Sequence, residues 1–149
     1  MKEFKLTNPA NVTACLKYIE ELPLDPVQLV EIRPLKENLS SLQRKYYFWI
    51  VGIIANERGE TKDDQHLLGK ERHLIPIFVR DSASYREMIE SVKECRRQGM
   101  VKQADALKKE ILRLTSITDC NVAQMREFID QVCIEAQQQG IRLPAKDYE

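Results

Sequence analysis

Residues 38–59, NLSSLQRKYYFWIVGIIANERG, are the stretch that decides the fold. Its apolar residues recur at helical spacing, which predicts a long helix with one stripe facing a core. The residues of this stripe are Leu42, Tyr46, Trp49, Ile50, Ile53 and Ile54. Because residues 46–55 are apolar on nearly all sides, we expect this helix to be central or shared with a partner chain.

The start of the predicted helix is polar. Ser40 and Gln43 have the spacing of a capping box, in which two side chains bond backbone N–H groups at a helix N-terminus. Arg44 and Lys45 follow directly, where those N–H groups already favour an anion. The stretch therefore predicts a buried aromatic helix with a cationic entrance.

The residues before this helix predict a β-α-β element. Residues 2–7 and 27–32 alternate polar and apolar side chains, as strands do. Asn8 and Pro9 are of the types preferred at the first positions of a helix. Two strands joined by a helix of this length are usually parallel neighbours. We therefore predict an α+β fold, mostly helical, with an N-terminal β-α-β element packed on the central aromatic helix.

The C-terminal half is predicted to be helical. Pro76 within the apolar run 74–79 favours an edge strand or an extended packing segment there. Apolar residues at helical spacing on both sides of Gly99 predict a basic αα-hairpin over residues 81–114. A last helix and an extended tail are expected in residues 115–149.

Length and composition are those of one globular domain. The chain has 149 residues, of which 43% are hydrophobic and 31% charged. We expect a single domain, 1–149, whose first part, 1–80, contains the β-α-β element and the central helix. No run of about 18 apolar residues occurs, and the N-terminus lacks the apolar region of a signal peptide, so we expect a cytoplasmic protein.

Catalytic and metal-binding patterns are missing from the sequence. The four cysteines and two histidines do not have the spacing of metal ligands, so we expect neither a metal nor a cofactor. The glycine-rich, serine-hydrolase and zinc-protease motifs are also absent. We therefore expect a protein that is not an enzyme. A small metal-dependent nuclease assembled from scattered carboxylates is an alternative.

The distribution of charge restricts a polyanion site to a local region. The formal net charge is zero, which argues against nucleic-acid binding over the whole surface. Residues 91–114 contain seven basic and three acidic residues, an excess of +4, whereas residues 117–149 have three basic and six acidic residues, or −3. A possible accessory basic surface is formed by Lys93, Arg96, Arg97 and Lys102.

The cationic entrance is the better candidate for a nucleic-acid site. Four cations there could hold two or three phosphates. They are Arg33, Lys36, Arg44 and Lys45. Tyr47 or Phe48 could offer a ring to an unpaired base. The alternative is that all the aromatic residues belong to the core and that Gln43 only caps the helix.

The order of several short pieces carries a resemblance to a known family. They are the entry FKLTNPA at 4–10, the exit LPLDP at 22–26 with the strand after it, SSLQRKYYFW at 40–49, and the closing helix with its end at 140–144. This order resembles the NinB/Orf family of phage recombination mediators, whose signature is Ser-Leu-x-Gln-Asn-(Lys/Arg) before an aromatic helix. This sequence departs from the signature at two points: Arg44 stands in place of the Asn, and Ser40-Ser41 stands in place of the Ser-Leu pair.

The resemblance implies a function. Members of the family bind single-stranded DNA and the host single-strand-binding protein and help a recombinase or annealing protein to load, as homodimers without enzymatic activity. By position, Gln43 matches the functional glutamine, Lys45 the basic position, and Phe48 or Trp49 the functional aromatic residue. The hairpin at 81–114 has no counterpart. An alternative is a protein-interaction module whose basic hairpin receives the acidic tail of a partner without binding DNA.

Overall fold

The computed structural model describes residues 2–33, 39–146 and 148. The chain divides into two compact units, 1–37 and 38–149, which are described separately below. The sequence predicted a single domain, 1–149, made of three parts that end at residues 80, 114 and 149.

The described part of the first unit, residues 2–33, contains one helix, α1, Pro9–Glu20. Asn8 caps it, because its Oδ1 accepts a hydrogen bond of 3.0 Å from the backbone N–H of Asn11. The predicted helix start at Asn8 and Pro9 is confirmed. None of the residues of α1 is buried.

The predicted β-α-β element is wrong, and so is the α+β class. The described residues contain helices, turns and irregular chain but no strand. In the segment 27–32, Val27 and Leu29 are 94% and 93% exposed. Alternating side chains favour a strand only where a neighbouring strand pairs its backbone and packs against its apolar side. Within the described residues neither segment has such a neighbour, so the fold is all-helical.

The second unit begins with the predicted central helix, α2, Leu39–Arg58, which is confirmed. The predicted capping box is wrong, because Ser40 lies inside the first turn and the side chain of Gln43 is buried. The helix ends at Gly59, whose φ of +66° is a conformation that residues with a Cβ rarely adopt. Thr61 then caps α3, Lys62–Gly69.

The apolar run around Pro76 is helical, so the predicted extended segment is wrong. A π-helical turn, Lys70–Leu74, leads directly into α4, Ile75–Asp81. The backbone N–H of Ile75 bonds the carbonyl of Lys70, five residues back. Pro76 is therefore at the second position of a new helix, where a missing N–H group leaves no hydrogen bond unmade.

The predicted helical hairpin is present. It consists of α5, Ala83–Arg97, and α6, Val101–Leu114, with Gly99 at φ +78° between them. Their buried contact is formed by Val92, Ala104 and Ile111, together with Ile75 of α4. A 3₁₀ turn, Ile117–Asp119, then leads to α7, Val122–Gln138.

The main core lies where α2 packs against α7, and buried residues of the π-helical turn and α4 complete it. Its fully buried large side chains include Tyr47, Ile50, Ile54, Leu74, Phe128 and Ile129. A polar anchor joins the π-helical turn to the end of α6: the buried Lys70 donates hydrogen bonds to the carbonyls of Leu112, at 3.0 Å, and Thr115, at 2.9 Å. Burial lowers the pKa of Lys70. Among the described residues, none of the helices has the length and apolar character needed to cross a membrane.

Candidate nucleic-acid interface

The four consecutive aromatic residues of α2 divide between the core and the surface. Tyr46 and Tyr47 are 3% and 0% exposed, whereas Phe48 and Trp49 are 49% and 52% exposed. Successive residues of an α-helix are rotated by about 100°, so four in a row cannot all face the same side. The predicted stripe had placed Trp49 inward and Tyr47 off the stripe, and both placements are wrong.

The outward side of α2 carries a compact group of cationic, aromatic and small residues. Lys45, Phe48, Trp49 and Gly52 are spaced i, i+3, i+4 and i+7, so they are neighbours on one side of the helix. A Cβ placed on Gly52 would lie 3.0 Å from Cε and 3.5 Å from Nζ of Lys62. The side chain of Lys62 therefore lies across α2 at this glycine. We call these five residues the outer face.

The turn between α2 and α3 brings Lys62 to the outer face. Gly59, in its left-handed conformation, ends α2, and the N–H of Glu60 bonds the carbonyl of Ala55 at 2.9 Å. Thr61 caps the first turn of α3 with its side chain. The chain thus reverses within a few residues, and the first residue of α3 packs beside α2. Sequence reasoning missed Lys62 because this contact depends on the turn.

Buried groups hold the two exposed rings in place. The ring centre of Phe48 lies 5.2 Å from that of Tyr47 and 5.5 Å from that of His66. Trp49 meets Tyr46 edge-on, at 6.3 Å. The Tyr47 hydroxyl and His66 Nδ1 form a hydrogen bond of 2.7 Å. Burial raises the pKa of Tyr47 and lowers the pKa of His66, so the pair is uncharged at neutral pH.

The C-terminal tail supports Tyr46 from the other side. The Tyr46 hydroxyl donates a hydrogen bond of 2.7 Å to the carbonyl of Pro144, and the ring of Tyr148 packs on it at 5.6 Å. Lys146 of the tail pairs with Asp130 of α7. Trp49 therefore rests on a residue that is fixed by its own helix and by the tail.

Gln43, a predicted DNA-binding residue, lies in the core. It is 0% exposed, and its Nε2 donates a hydrogen bond of 3.1 Å to the carbonyl of Val122. No described residue donates a hydrogen bond to its Oε1. In this position Gln43 joins α2 to the first turn of α7, and it has no surface from which to contact DNA.

Of the four predicted cations, two lie in the described part of the second unit. Arg44 is partly exposed and precedes Phe48 by one helical turn, and Lys45 is exposed on the outer face. Arg44 forms no ion pair with any of the described residues. Arg33 is exposed but belongs to the other unit, and Lys36 lies outside the described residues. Within the second unit, Arg44 and Lys45 thus lie beside the aromatic rings.

The accessory basic surface of the hairpin is largely neutralised. Arg96 pairs with Asp105 at 3.1 Å, Arg97 pairs with Glu94 at 2.6 Å, and Lys93 pairs with a glutamate one turn earlier at 3.4 Å. Of the four residues predicted for this surface, only Lys102 forms no ion pair with a described residue. Glu94 and Asp105 are already subtracted in the excess of +4, and the pairs of Lys93 with Glu90 and of Lys108 with Glu71 reduce it further.

Other polar groups of the second unit also form pairs. His73 and Arg72, both in the π-helical turn, bond the carboxylate of Glu135. These bonds lower the pKa of Glu135 even though partial burial acts to raise it. This cluster adjoins a surface cavity of about 330 Å³. Among the described residues, no three His, Cys, Asp or Glu side chains are grouped so that they could hold a metal ion.

Comparison of the chain with protein-family models, curated proteins and solved structures found no match. The resemblance to the NinB/Orf family therefore stays a prediction from sequence. Its N-terminal part included two strands, neither of which is present in the described residues.

Proposed function

We propose that the protein binds single-stranded DNA through the outer face of α2. The observation that carries this proposal is the pair of half-exposed rings, Phe48 and Trp49, with Lys45 and Lys62 beside them. Unpaired bases stack on exposed aromatic rings, while ammonium groups bind the phosphates that connect them. Duplex DNA keeps its bases stacked on each other and offers no such ring contact.

The chemistry of the outer face favours single-stranded DNA over an apolar ligand. Its rings are flanked by cations, and the groups under Phe48, which are Tyr47 and His66, are uncharged. Arg44 adds a further cation one turn from Phe48. The arrangement offers stacking and charge without a catalytic group, which is typical of binding that does not depend on base sequence.

The biological role in this proposal comes from the sequence resemblance. It is that of a non-enzymatic, cytoplasmic recombination mediator that acts as a homodimer and assists the loading of a recombinase or annealing protein. Its further partner is the host single-strand-binding protein. Binding of single-stranded DNA can be tested separately from this role.

A second candidate function is docking of a partner protein on the same face. Tryptophan and other large aromatic residues are the most common energetic centres of protein interfaces. The basic hairpin is the weaker docking surface, because Arg96 and Arg97 already pair with carboxylates of their own chain.

Fluorescence anisotropy of a labelled oligothymidylate, titrated with the full chain over a series of salt concentrations, tests the proposal. Affinity should fall steeply as salt rises. Replacing Arg44 and Lys45 together by alanine should reduce the slope of log affinity against log salt by about 1.4, since each phosphate contact contributes about 0.7 for single strands. Lys109→Ala, at an exposed position of α6, is the matched control and should have no effect.

Two results would contradict the proposal. No binding at low salt would exclude DNA binding and leave the docking of a protein. Binding that the double substitution does not weaken would place the site elsewhere on the molecule.

A further inference from the structure

We propose that Lys62, laid across Gly52, forms the far end of a track for about four nucleotides along α2. This inference rests on the proposed function and gives it a direction and a length. Neither Lys62 nor Gly52 was predicted as a site residue from the sequence.

Glycine inside a helix needs a reason, because it destabilises the helix by about 1 kcal/mol relative to alanine. Gly52 lies in the middle of α2, and close contact with core residues does not explain it, since the three atoms nearest to an added Cβ all belong to the side chain of Lys62. A Cβ at position 52 would meet Lys62 Cε at 3.0 Å and so displace this flexible side chain. The glycine therefore permits the lysine to lie against the helix.

The contact fixes where the ammonium group is held. A lysine on an exposed helix usually extends into solvent, but the stem of Lys62 packs on the backbone of α2 at Gly52. None of the described carboxylates forms an ion pair with it. Its charge is thus available for a ligand, and it lies one turn beyond the two rings.

The spacing of the charges matches a short single strand. Lys45 and Gly52 are seven residues apart, which is about 10 Å along the helix axis at 1.5 Å per residue. Stacked nucleotides repeat at about 3.4 Å along one strand, so this distance spans about three steps between four nucleotides. Phe48 and Trp49 lie between the two ends, where the bases would stack. The phosphates at the two ends would then meet Lys45 and Lys62.

Oligothymidylates of two, four, six and eight nucleotides, titrated against the full chain, test the length of the track. Each carries a 5′-phosphate, so that four nucleotides present four phosphates separated by three steps. The affinity should rise strongly from two to four nucleotides, and further nucleotides should add only the statistical gain of more binding registers. An affinity that keeps rising steeply from four to eight would overturn a four-nucleotide track.

A double-mutant cycle tests the role of the contact. Lys62→Ala should reduce the salt slope for the four-nucleotide strand by about 0.7, the value for one phosphate. Gly52→Ala should cause the same loss by displacing Lys62, although it is expected to make the helix more stable. In the Lys62→Ala background, Gly52→Ala should have no further effect on binding. Lys109→Ala is again the control for loss of one exposed charge.

The outcomes separate this inference from the function on which it rests. If Lys62→Ala leaves the salt slope unchanged while Trp49→Ala abolishes binding, the track does not reach Lys62, and the proposed function stands. Additive losses in the double variant would show that Gly52 acts independently of Lys62 and would overturn the contact. Absence of binding to every oligonucleotide would overturn both proposals.

Discussion

The two sides of α2 have the same kinds of residue but different surroundings. On the inward side, Tyr47 and Ile50 are 0% exposed and pack in the main core. On the outward side, Phe48 and Trp49 are about half exposed. Burial of apolar side chains stabilises the fold, so the inward residues are explained by folding. The exposed rings contribute much less to folding, and we therefore propose that their function is to bind a ligand.

The largest predicted effect is on the inward side. Ile50→Ala should lower the free energy of unfolding by about 2–5 kcal/mol, because it leaves a cavity in the main core. The matched control is Ile134→Ala on α7, where the isoleucine is 53% exposed. Ile134→Ala should lower the free energy of unfolding by less than half as much as Ile50→Ala does. Urea denaturation followed by circular dichroism measures both, and equal losses would contradict the assignment of the inward side.

A smaller effect is expected where the inward side meets the tail. Tyr46→Phe removes the hydroxyl that donates to the carbonyl of Pro144, and should lower the free energy of unfolding by about 1 kcal/mol. Tyr18→Phe, on the exposed part of α1, is the control and should have no measurable effect. If Tyr46→Phe is also neutral, the tail does not depend on this bond.

The stability of the fold should depend on pH through His66, which lies at the border between the two sides of α2. His66 contacts both Tyr47 and Phe48, and its pKa is lowered first by burial and then by the charge of Lys70, against the opposite effect of Asp63. The unfolded chain therefore binds the proton more readily, so protonation of His66 reduces stability as pH falls from above about 6.5 towards the lower folded pKa.

The measurement is the melting temperature of the unmodified protein and of His66→Gln between pH 7.5 and 5. The variant should gain stability relative to the unmodified protein as the pH falls. Parallel curves for the two proteins would contradict the lowered pKa.

The smallest effect on stability is expected on the outward side. Phe48→Ala and Trp49→Ala should each lower the free energy of unfolding by about 1 kcal/mol or less, because half of each ring is already in water. The same urea experiment measures this loss. A loss as large as that of Ile50→Ala would make these rings structural and would remove the main reason to propose a ligand.

The periodicity of the sequence predicted the existence and the bounds of α2, but it did not predict its rotation. Residues 46–55 are apolar on almost every side, so the choice of the inward side depends on what packs against it. Phe128 of α7 lies 4.9 Å from Tyr47, ring centre to ring centre, and this contact turns Tyr47 inward. Trp49 is then turned outward, which the pattern within α2 alone could not indicate.

Two other differences have causes outside the local pattern. Alternation in residues 27–32 predicted a strand, but a strand needs a pairing neighbour that the described residues do not provide. Pro76 predicted an extended segment, but the π-helical turn before it allows a new helix to start there. The position of Lys62 across Gly52 likewise depends on the turn at Gly59 and is not visible from either residue alone.

Trp49 is the only tryptophan of the chain, so its fluorescence reports directly on the outer face. The measurement that tests the central claim is a titration of this fluorescence with unlabelled oligothymidylate, in parallel with anisotropy of the labelled strand. Stacking of bases on the outer face predicts a saturable change in tryptophan emission with the same dissociation constant as the anisotropy, and a lower affinity in Phe48→Ala. Binding seen by anisotropy without any change in the emission of Trp49 would contradict it.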